Sequence, residues 1–382
     1  MRILDLTQYE AGPSATQALA FMGADVVKVE RPAGGDPGRS SPVVGHSYFV
    51  NWNCNKRSLA LDVAEPAGRE LFLRLAPSFD VVVENFGPGV IERLELGYEH
   101  VRAVHPSVIY ASVKGFGADG PYAAYKCFDA VAQAMSGAFS VTGEPDGPPT
   151  APGPTIADCG TGMQLAAAIL AAYVQKLRTG EGQRVELSMQ EAMTYYMRTR
   201  LAFSDWGAQA VPRLGAGINS LMALYACRPF GPNDYVQLMA LPAMFPAVCT
   251  AMGRPELLER FTGAALVAND EALTAEIAAW TAQRTKYEAM HELAAAGVPA
   301  GAVLDTKDLH EDPHLLARGF VKRITHPELG ELPVLGWPAR LSASDTPLTS
   351  SPLLGQHTDA VLAEAGLDAE EVAALRAKGV LA

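Results

Sequence analysis

The sequence predicts an α/β protein, with a parallel sheet flanked by helices and a smaller α+β unit after it. Three observations carry this. Short apolar runs alternate with helical stretches through the first half of the chain. The connections between those runs are long enough for right-handed crossovers between parallel strands. A stretch rich in Gly, Ala and Pro then precedes a segment with a hairpin pattern.

In order, residues 2–6 read as a strand, and Gly12 and Pro13 open a helix running to about 22. Residues 25–30 (DVVKVE) form a second strand, followed by a loop over 32–45 rich in Gly, Pro and Ser. A strand at 58–62, a helix at 66–75 and strands at 80–83 and 108–114 continue the alternation. Residues 158–176, rich in Ala and Leu, form a long helix by propensity, with a strand at 184–187 and a helix at 189–202 after it. Gly, Ala and Pro accumulate over 207–220, so 207–222 reads as a linker after a first domain at 1–206. Residues 224–228 and 235–239 pair as a hairpin around Gly231, Pro232, Asn233 and Asp234. With helices near 243–252, 269–282 and 286–296 they make a small α+β domain at 223–305. Residues 306–382 hold short strands and a helical stretch from about 358.

The 382 residues suit two to three domains. Thirty Lys and Arg against 42 Asp and Glu give a net charge of −12. That excess of acid opposes non-specific nucleic-acid binding, which needs a basic surface. No apolar run reaches the ~18 residues of a membrane span, and 165–174 reads as a buried helix. The N-terminal MRILDLTQYE carries charge by Asp5 and has no signal-peptide core. Five scattered cysteines without a CxxC pair fit a reduced cytoplasmic protein and offer no zinc site. His310 and His314 are separated by Pro313, so no metal is expected there.

Glu30 ends the second strand, where dinucleotide-binding domains place an acid for a ribose. The turn after the first strand, Tyr9-Glu10-Ala11-Gly12-Pro13, lacks the GxGxxG that such binding requires. NAD is therefore not expected, and Glu30 reads as a solvated strand end. Arg31, Arg39, Lys56 and Arg57 gather basic charge near one strand edge. They suit a phosphorylated ligand, or are simply solvated. Asn85 to Gly89 open a helix whose N–H groups would meet an anion, with a plain turn as the alternative. Asp158 lies at the start of the long helix, beside Gly160 and Gly162. It reads either as an N-cap or as a covalent nucleophile on an activated acyl group. In the second reading the helix N-terminus keeps it ionised, and the glycines let a bulky ligand approach the backbone.

The ordered blocks LDLTQYEAGPSATQALAFMGADVVKVERP, NCNKRSLALD, VVVENFGPGVIERL, YASVKGFGADGPY, FDAVAQAMSG, TIADCGTGM, TGEGQRVELSMQEA and PLLGQHT resemble the family III CoA-transferases. The likeness runs end to end. It implies a Rossmann-like large domain, a small domain, a C-terminal segment returning to the large domain, and an interlocked homodimer. The implied reaction moves CoA between an acyl-CoA thioester and a free carboxylic acid, with no permanently bound cofactor and no nucleic-acid or membrane partner. Asp158 matches the aspartate that carries the acyl group, through a mixed anhydride and an aspartyl-CoA thioester. Arg31 and Arg93 match arginines at the ADP phosphates, and Leu61 to Ala64 fall where the adenine is held. Asn85, Phe86 and Gly87 match the loop beside the pantetheine, and Lys126 matches a supporting lysine. Glu10, Ala11, Phe128, Gly215 and Gly217 fall at the acid substrate.

The motifs lie nearest to those of formyl-CoA:oxalate transferases, with three departures. Glu10 stands where those enzymes carry glutamine, and Phe128 where they carry tyrosine. Of their glycine run only Gly215-Ala216-Gly217 is left. A carboxylate at Glu10 would repel a second carboxylate on the substrate. The acid expected is therefore a monocarboxylate, or one with a cationic or hydroxyl group. Acyl-CoA racemases of the same family are the alternative. They pair the aspartate with a histidine about thirty residues earlier, where this chain has Phe128, which takes no proton. A non-catalytic CoA-ester-binding protein is the remaining reading.

Overall fold

Apolar, β-branched runs need partners on both faces, and here they build a parallel sheet. The computed structural model describes the chain apart from residues 42–44, 262 and 346–347; part of the loop expected over 32–45 thus lies outside the described residues. The strands are β1 (Arg2–Asp5), β2 (Asp25–Glu30), β3 (Arg57–Ala60), β4 (Val81–Glu84), β5 (Ile109–Lys114) and β6 (Arg184–Ser188). Their order is β3-β2-β1-β4-β5-β6, with every neighbouring pair parallel. In such a sheet the winding reverses between β1 and β4, and ligands bind at the carboxyl ends there. The loops that follow β1 and β4 are therefore the ones to watch.

Helices beside this sheet include α1 (Ala11–Phe21), α2 (His46–Asn53), α3 (Pro66–Leu75), α4 (Val90–Arg93), α5 (Tyr98–Val104), α6 (Asp129–Met135), α7 (Ile156–Thr179) and α8 (Met189–Tyr196). On one face Leu4, Val27, Leu59 and Val82 pack with Phe72, Leu75, Ile91 and Val101. On the other, α1 is buried along its whole length and crosses α7. Gly162 makes that crossing possible. A Cβ there would lie 2.0 Å from Ser14 Oγ and 2.7 Å from the Ala11 carbonyl. Gly162→Val is expected to lower stability by about 1–3 kcal/mol, as overpacking does, measured by urea denaturation. An unchanged midpoint would argue against this packing. Gly160 is filled in the same way, by Tyr196 at 2.7 Å, and the Tyr196 hydroxyl donates to the Gly160 carbonyl at 3.1 Å. Both glycines thus admit protein neighbours, which corrects the expectation that they admit a ligand.

By length and composition α7 is, among the described residues, long and apolar enough to cross a membrane. A core helix of a folded protein passes the same test. The helix packs along α1, α6 and α8 and against β5 and β6.

The chain divides into two units. The larger holds Met1–Phe139, Ala151–Val211 and Arg318–Ala382, and the smaller holds Ser140–Thr150 and Pro212–Ala317. In the smaller, β7 (Gly217–Asn219), β8 (Met222–Ala226), β9 (Tyr235–Met239) and β10 (Ala300–Ala302) form an antiparallel sheet in the order β10-β9-β8-β7. Tyr225, Val236, Phe245, Trp280 and Leu293 fill its core. Part of the stretch expected as a linker is thus structured. Gly217 pairs with Ala223 too closely for a side chain, and Arg213 donates to the carbonyls of Glu144 and Gly147. The helix expected at 189–202 is interrupted at Met197, giving α8 and Arg198–Ala202.

The C-terminal segment belongs to the larger unit. Its hairpin, β11 (Val321–His326) with β12 (Gly330–Leu335), packs Ile324 and Val334 on Phe21, Val50 and Cys54. Further on, Ser58 N–H donates to His357 Nδ1 at 3.2 Å and Ala60 N–H to Thr358 Oγ1 at 3.1 Å. Leu61 bridges Leu381. The edge strand β3 is thereby covered, which removes an open template for pairing.

Candidate active site

Asp158 is the third residue of α7, and Thr155 holds the N-cap position. Its carboxyl accepts no hydrogen bond among the described residues and borders a cavity of about 220 Å³. The N-cap reading therefore fails. The backbone N–H of Asp158 is itself taken by Asp129 Oδ1 at 3.1 Å. Gln133 holds the other Asp129 oxygen at 2.5 Å and also donates to the Pro154 carbonyl. Burial, followed by the charges of Glu10 and Asp129, pushes the Asp158 carboxyl up to about 8. Here the helix N-terminus does not keep it ionised, contrary to expectation. Two neighbouring carboxylates and desolvation outweigh the dipole.

Glu10 precedes α1 and is buried. One of its oxygens accepts from the Thr155 hydroxyl, the other from the Tyr48 hydroxyl at 3.2 Å. Burial raises its pKa, the two hydroxyls oppose the rise, and Asp129 adds to it. Tyr48 is pushed up in turn by burial and by the charges of Glu10 and Asp158, so its hydroxyl stays a donor.

A buried ionic layer beneath the site fixes the β1–α1 loop. Lys28 lies 2.8 Å from Asp36, both fully enclosed, and donates to the Thr7 carbonyl at 2.6 Å. Asp36 accepts the N–H groups of Tyr9 (3.1 Å) and Gly38 (2.8 Å). Lys56 meets Asp5 at 3.2 Å and Asn53 at 2.9 Å. Burial alone would raise Asp5, but Lys56 and Lys28 with the Thr7 and Thr16 hydroxyls hold it down at about 2. From the β4 side, Asn85 clamps the backbone of Gln8 with two 2.8 Å bonds, one donated and one accepted.

The cavity brings together Asp158, Ala11, Asn85, Phe86, Gly87, Lys126 and Phe128 from the sequence-derived set. Leu61 is instead buried in the core, so its side chain is not presented to a ligand. The Asn85 amide is committed to Gln8. Arg31 is exposed beside Gly35, whose carbonyl accepts from its Nε at 3.1 Å, and makes no ion pair among the described residues. Ala64 and Arg93 are exposed, and the Arg93 guanidinium would lie 3.1 Å from a Cβ on Gly89. Gly215 and Gly217 belong to the smaller unit. Gly215 adopts a left-handed turn against Glu144 there.

Three members of the basic cluster have structural partners, which corrects that reading. Arg39 binds Glu30 through two nitrogens at 2.6 and 2.7 Å, Lys56 binds Asp5, and Arg57 binds Asp25 and Glu364. Glu30 is accordingly buried, not solvated, and also accepts from Ser58 at 2.7 Å. Sequence reasoning missed Asp129, Thr155 and Tyr48. Asp129 is one residue beyond the position reached by counting back from Asp158. Thr155 sits at a helix start, where its type is expected. Tyr48 had no such signal. Among the described residues no group of three or more His, Cys, Asp and Glu side chains could hold a metal ion.

The chain's similarities converge. The model of CoA-transferase family III matches residues 1–358. Over 404 residues the chain is 41% identical to the formyl-CoA:oxalate CoA-transferase of Streptomyces coelicolor, covering 100% of this chain and 98% of that one. It is 38% identical over 410 residues to the same-named protein of Rhodopseudomonas palustris, covering 100% and 96%. A CAIB/BAIF family protein from Brucella suis superposes with a TM-score of 0.85 at 33% identity, over 96% of this chain and 98% of that one. Rv3272 from Mycobacterium tuberculosis gives 0.81 at 28%, over 94% and 98%.

Proposed function

The chain belongs to CoA-transferase family III, and from that premise we propose that it moves CoA between an acyl-CoA and a free carboxylic acid, with Asp158 as the covalent nucleophile. The observation that carries the assignment is the Asp158 carboxyl itself, unbonded beside a cavity lined by Asn85, Phe86, Gly87 and Lys126. A structural aspartate at a helix start would cap it, and this one does not.

In the cycle a carboxylate oxygen of Asp158 attacks the thioester carbonyl. The C–S bond breaks, CoA leaves as thiolate, and a mixed anhydride remains. The thiolate then attacks the aspartyl carbonyl, the anhydride C–O bond breaks, and the donor acid departs. The acceptor carboxylate attacks the aspartyl-CoA thioester, the C–S bond breaks and a second anhydride forms; the expelled thiolate attacks its acceptor-side carbonyl, and that anhydride C–O bond breaks to release the new acyl-CoA. Asp158 is regenerated and no proton is consumed. We assign stabilisation of the oxyanions to the N–H groups at the start of α1, whose N-cap residue Glu10 makes no side-chain cap. Lys126 supplies positive charge at the cavity wall. The thiolate must find the anhydride before water does, so the reaction requires water to be kept from the cavity. Phe128 on its wall offers no second base for α-proton exchange, which opposes the racemase reading.

Mass spectrometry of CoA esters tests the reaction, after mixing the protein with formyl-, acetyl- or succinyl-CoA and pooled acids. A new ester is expected. No new ester, with deuterium entering the α-carbon in D₂O, would overturn the proposal. The pH profile tests the nucleophile. Asp158 attacks only when deprotonated, so kcat/KM for acyl-CoA should rise with pH and level off above about 8. Glu10→Gln should move that inflection downward, because a neighbouring negative charge is removed. A profile flat from pH 5 to 9 would count against Asp158.

A further inference from the structure

The cavity beside Asp158 has two unlike walls. One carries Asp158. Glu10 and Asp129 lie near it but not on the cavity lining; Asp129 accepts from the Asp158 N–H, and the hydroxyls of Thr155 and Tyr48 that occupy Glu10 bring no positive charge. The other is aromatic. Tyr9 and Phe128 stand edge to face with ring centroids 6.0 Å apart, and both line the cavity. They remain 41% and 63% exposed, so their faces are open to whatever enters. Tyr125, 57% exposed, lines the same space.

Tyr9 holds its place against a backbone cost. Its φ is +62°, a left-handed conformation that L residues rarely adopt. Its N–H is held by Asp36, and Asp36 by the enclosed Lys28, so the buried ionic layer fixes the conformation. Local strain maintained by surrounding structure at a site is a mark of function. Here it sets an aromatic ring opposite Phe128.

We propose that the acceptor is a monocarboxylic acid with an aromatic or branched-alkyl body, which lies against Tyr9 and Phe128, and that Glu10 disfavours dicarboxylates. This rests on the CoA-transfer reading and specifies its substrate. The acceptor's single carboxylate reaches the Asp158 thioester, and its body displaces water from the two rings. A second carboxylate, such as oxalate carries, would add another negative charge near Glu10 and Asp129, where the cations on the cavity lining are Lys126 and Lys114, the latter already paired with Glu84.

The test is a competition between acids, with new CoA esters read by mass spectrometry and kcat and KM measured for each acid. Phenylacetate, cinnamate and isobutyrate form one arm, oxalate and succinate the other. The wild-type protein is expected to favour the first arm at least tenfold in kcat/KM. Phe128→Ala should reduce that preference tenfold or more, through KM for the acid, while Phe128→Tyr retains it. Glu10→Gln keeps both hydroxyl bonds possible and should raise use of oxalate at least tenfold, with KM for acyl-CoA unchanged. Preference for oxalate in the wild type, unmoved by Glu10→Gln, would overturn this inference and leave CoA transfer standing. No ester from any acid would overturn both.

Discussion

Asp158→Asn is expected to abolish CoA transfer and at the same time to stabilise the fold. Loss of the attacking carboxylate removes the covalent route, and removal of such a group costs about 10³-fold or more in turnover. The stability gain follows from the titration. The carboxyl is pushed up to about 8 in the folded chain, against about 4 when unfolded. Between those values the folded state holds a proton that the unfolded state has released, so stability falls as pH rises through the window. Asparagine has no such dependence. The variant should therefore unfold about 0.5–2 kcal/mol later than the parent near pH 8, the range common for stabilising changes, and the gap should close near pH 4. Thermal melts across pH check this, and turnover by the variant would sink the nucleophile assignment.

Lys28→Met is expected to be the most damaging single change away from Asp158. It leaves Asp36 enclosed with a charge and no cation, and breaking a buried pair from one side costs about 3–5 kcal/mol. Adding Asp36→Asn should recover much of that loss. The amide oxygen can still accept from Tyr9 and Gly38, and no unpaired charge remains. Urea denaturation of the two variants measures it, and equal losses in both would show that the charge is not what matters.

Much of the fold was legible because sheet strands and core helices announce themselves by pattern. Residues 25–30 carry three valines and 109–114 an isoleucine, a tyrosine and a valine, and α1 and α7 have few residues that oppose a helix. The helix α2, HSYFVNWN, lacks a clear stripe, and it was not expected. Charge was the harder matter. Arg39, Lys56 and Arg57 look like a basic patch until Glu30, Asp5 and Asp25 are seen to face them from other strands. Sequence carries the sign of a charge but not its distance from the opposite one. Single motifs name Asp158, and Asn85 with Phe86, and all three line one cavity. The partners of Glu10 come from two distant segments, and only the fold brings Tyr48 and Thr155 to it.

The covering of β3 by residues near 357–381 has a consequence for the order in which the protein is made. The strands are synthesised first, yet the backbone and side-chain partners of Ser58, Ala60 and Leu61 emerge about 300 residues later. At about 5–20 residues per second, a nascent chain carries that sheet edge open for tens of seconds. During this interval the smaller unit must also emerge, between two parts of the larger one. The finished large unit is thus a product of the whole chain, and a ribosome that stalls before residue 357 leaves behind a sheet with a strand edge ready to pair with another molecule.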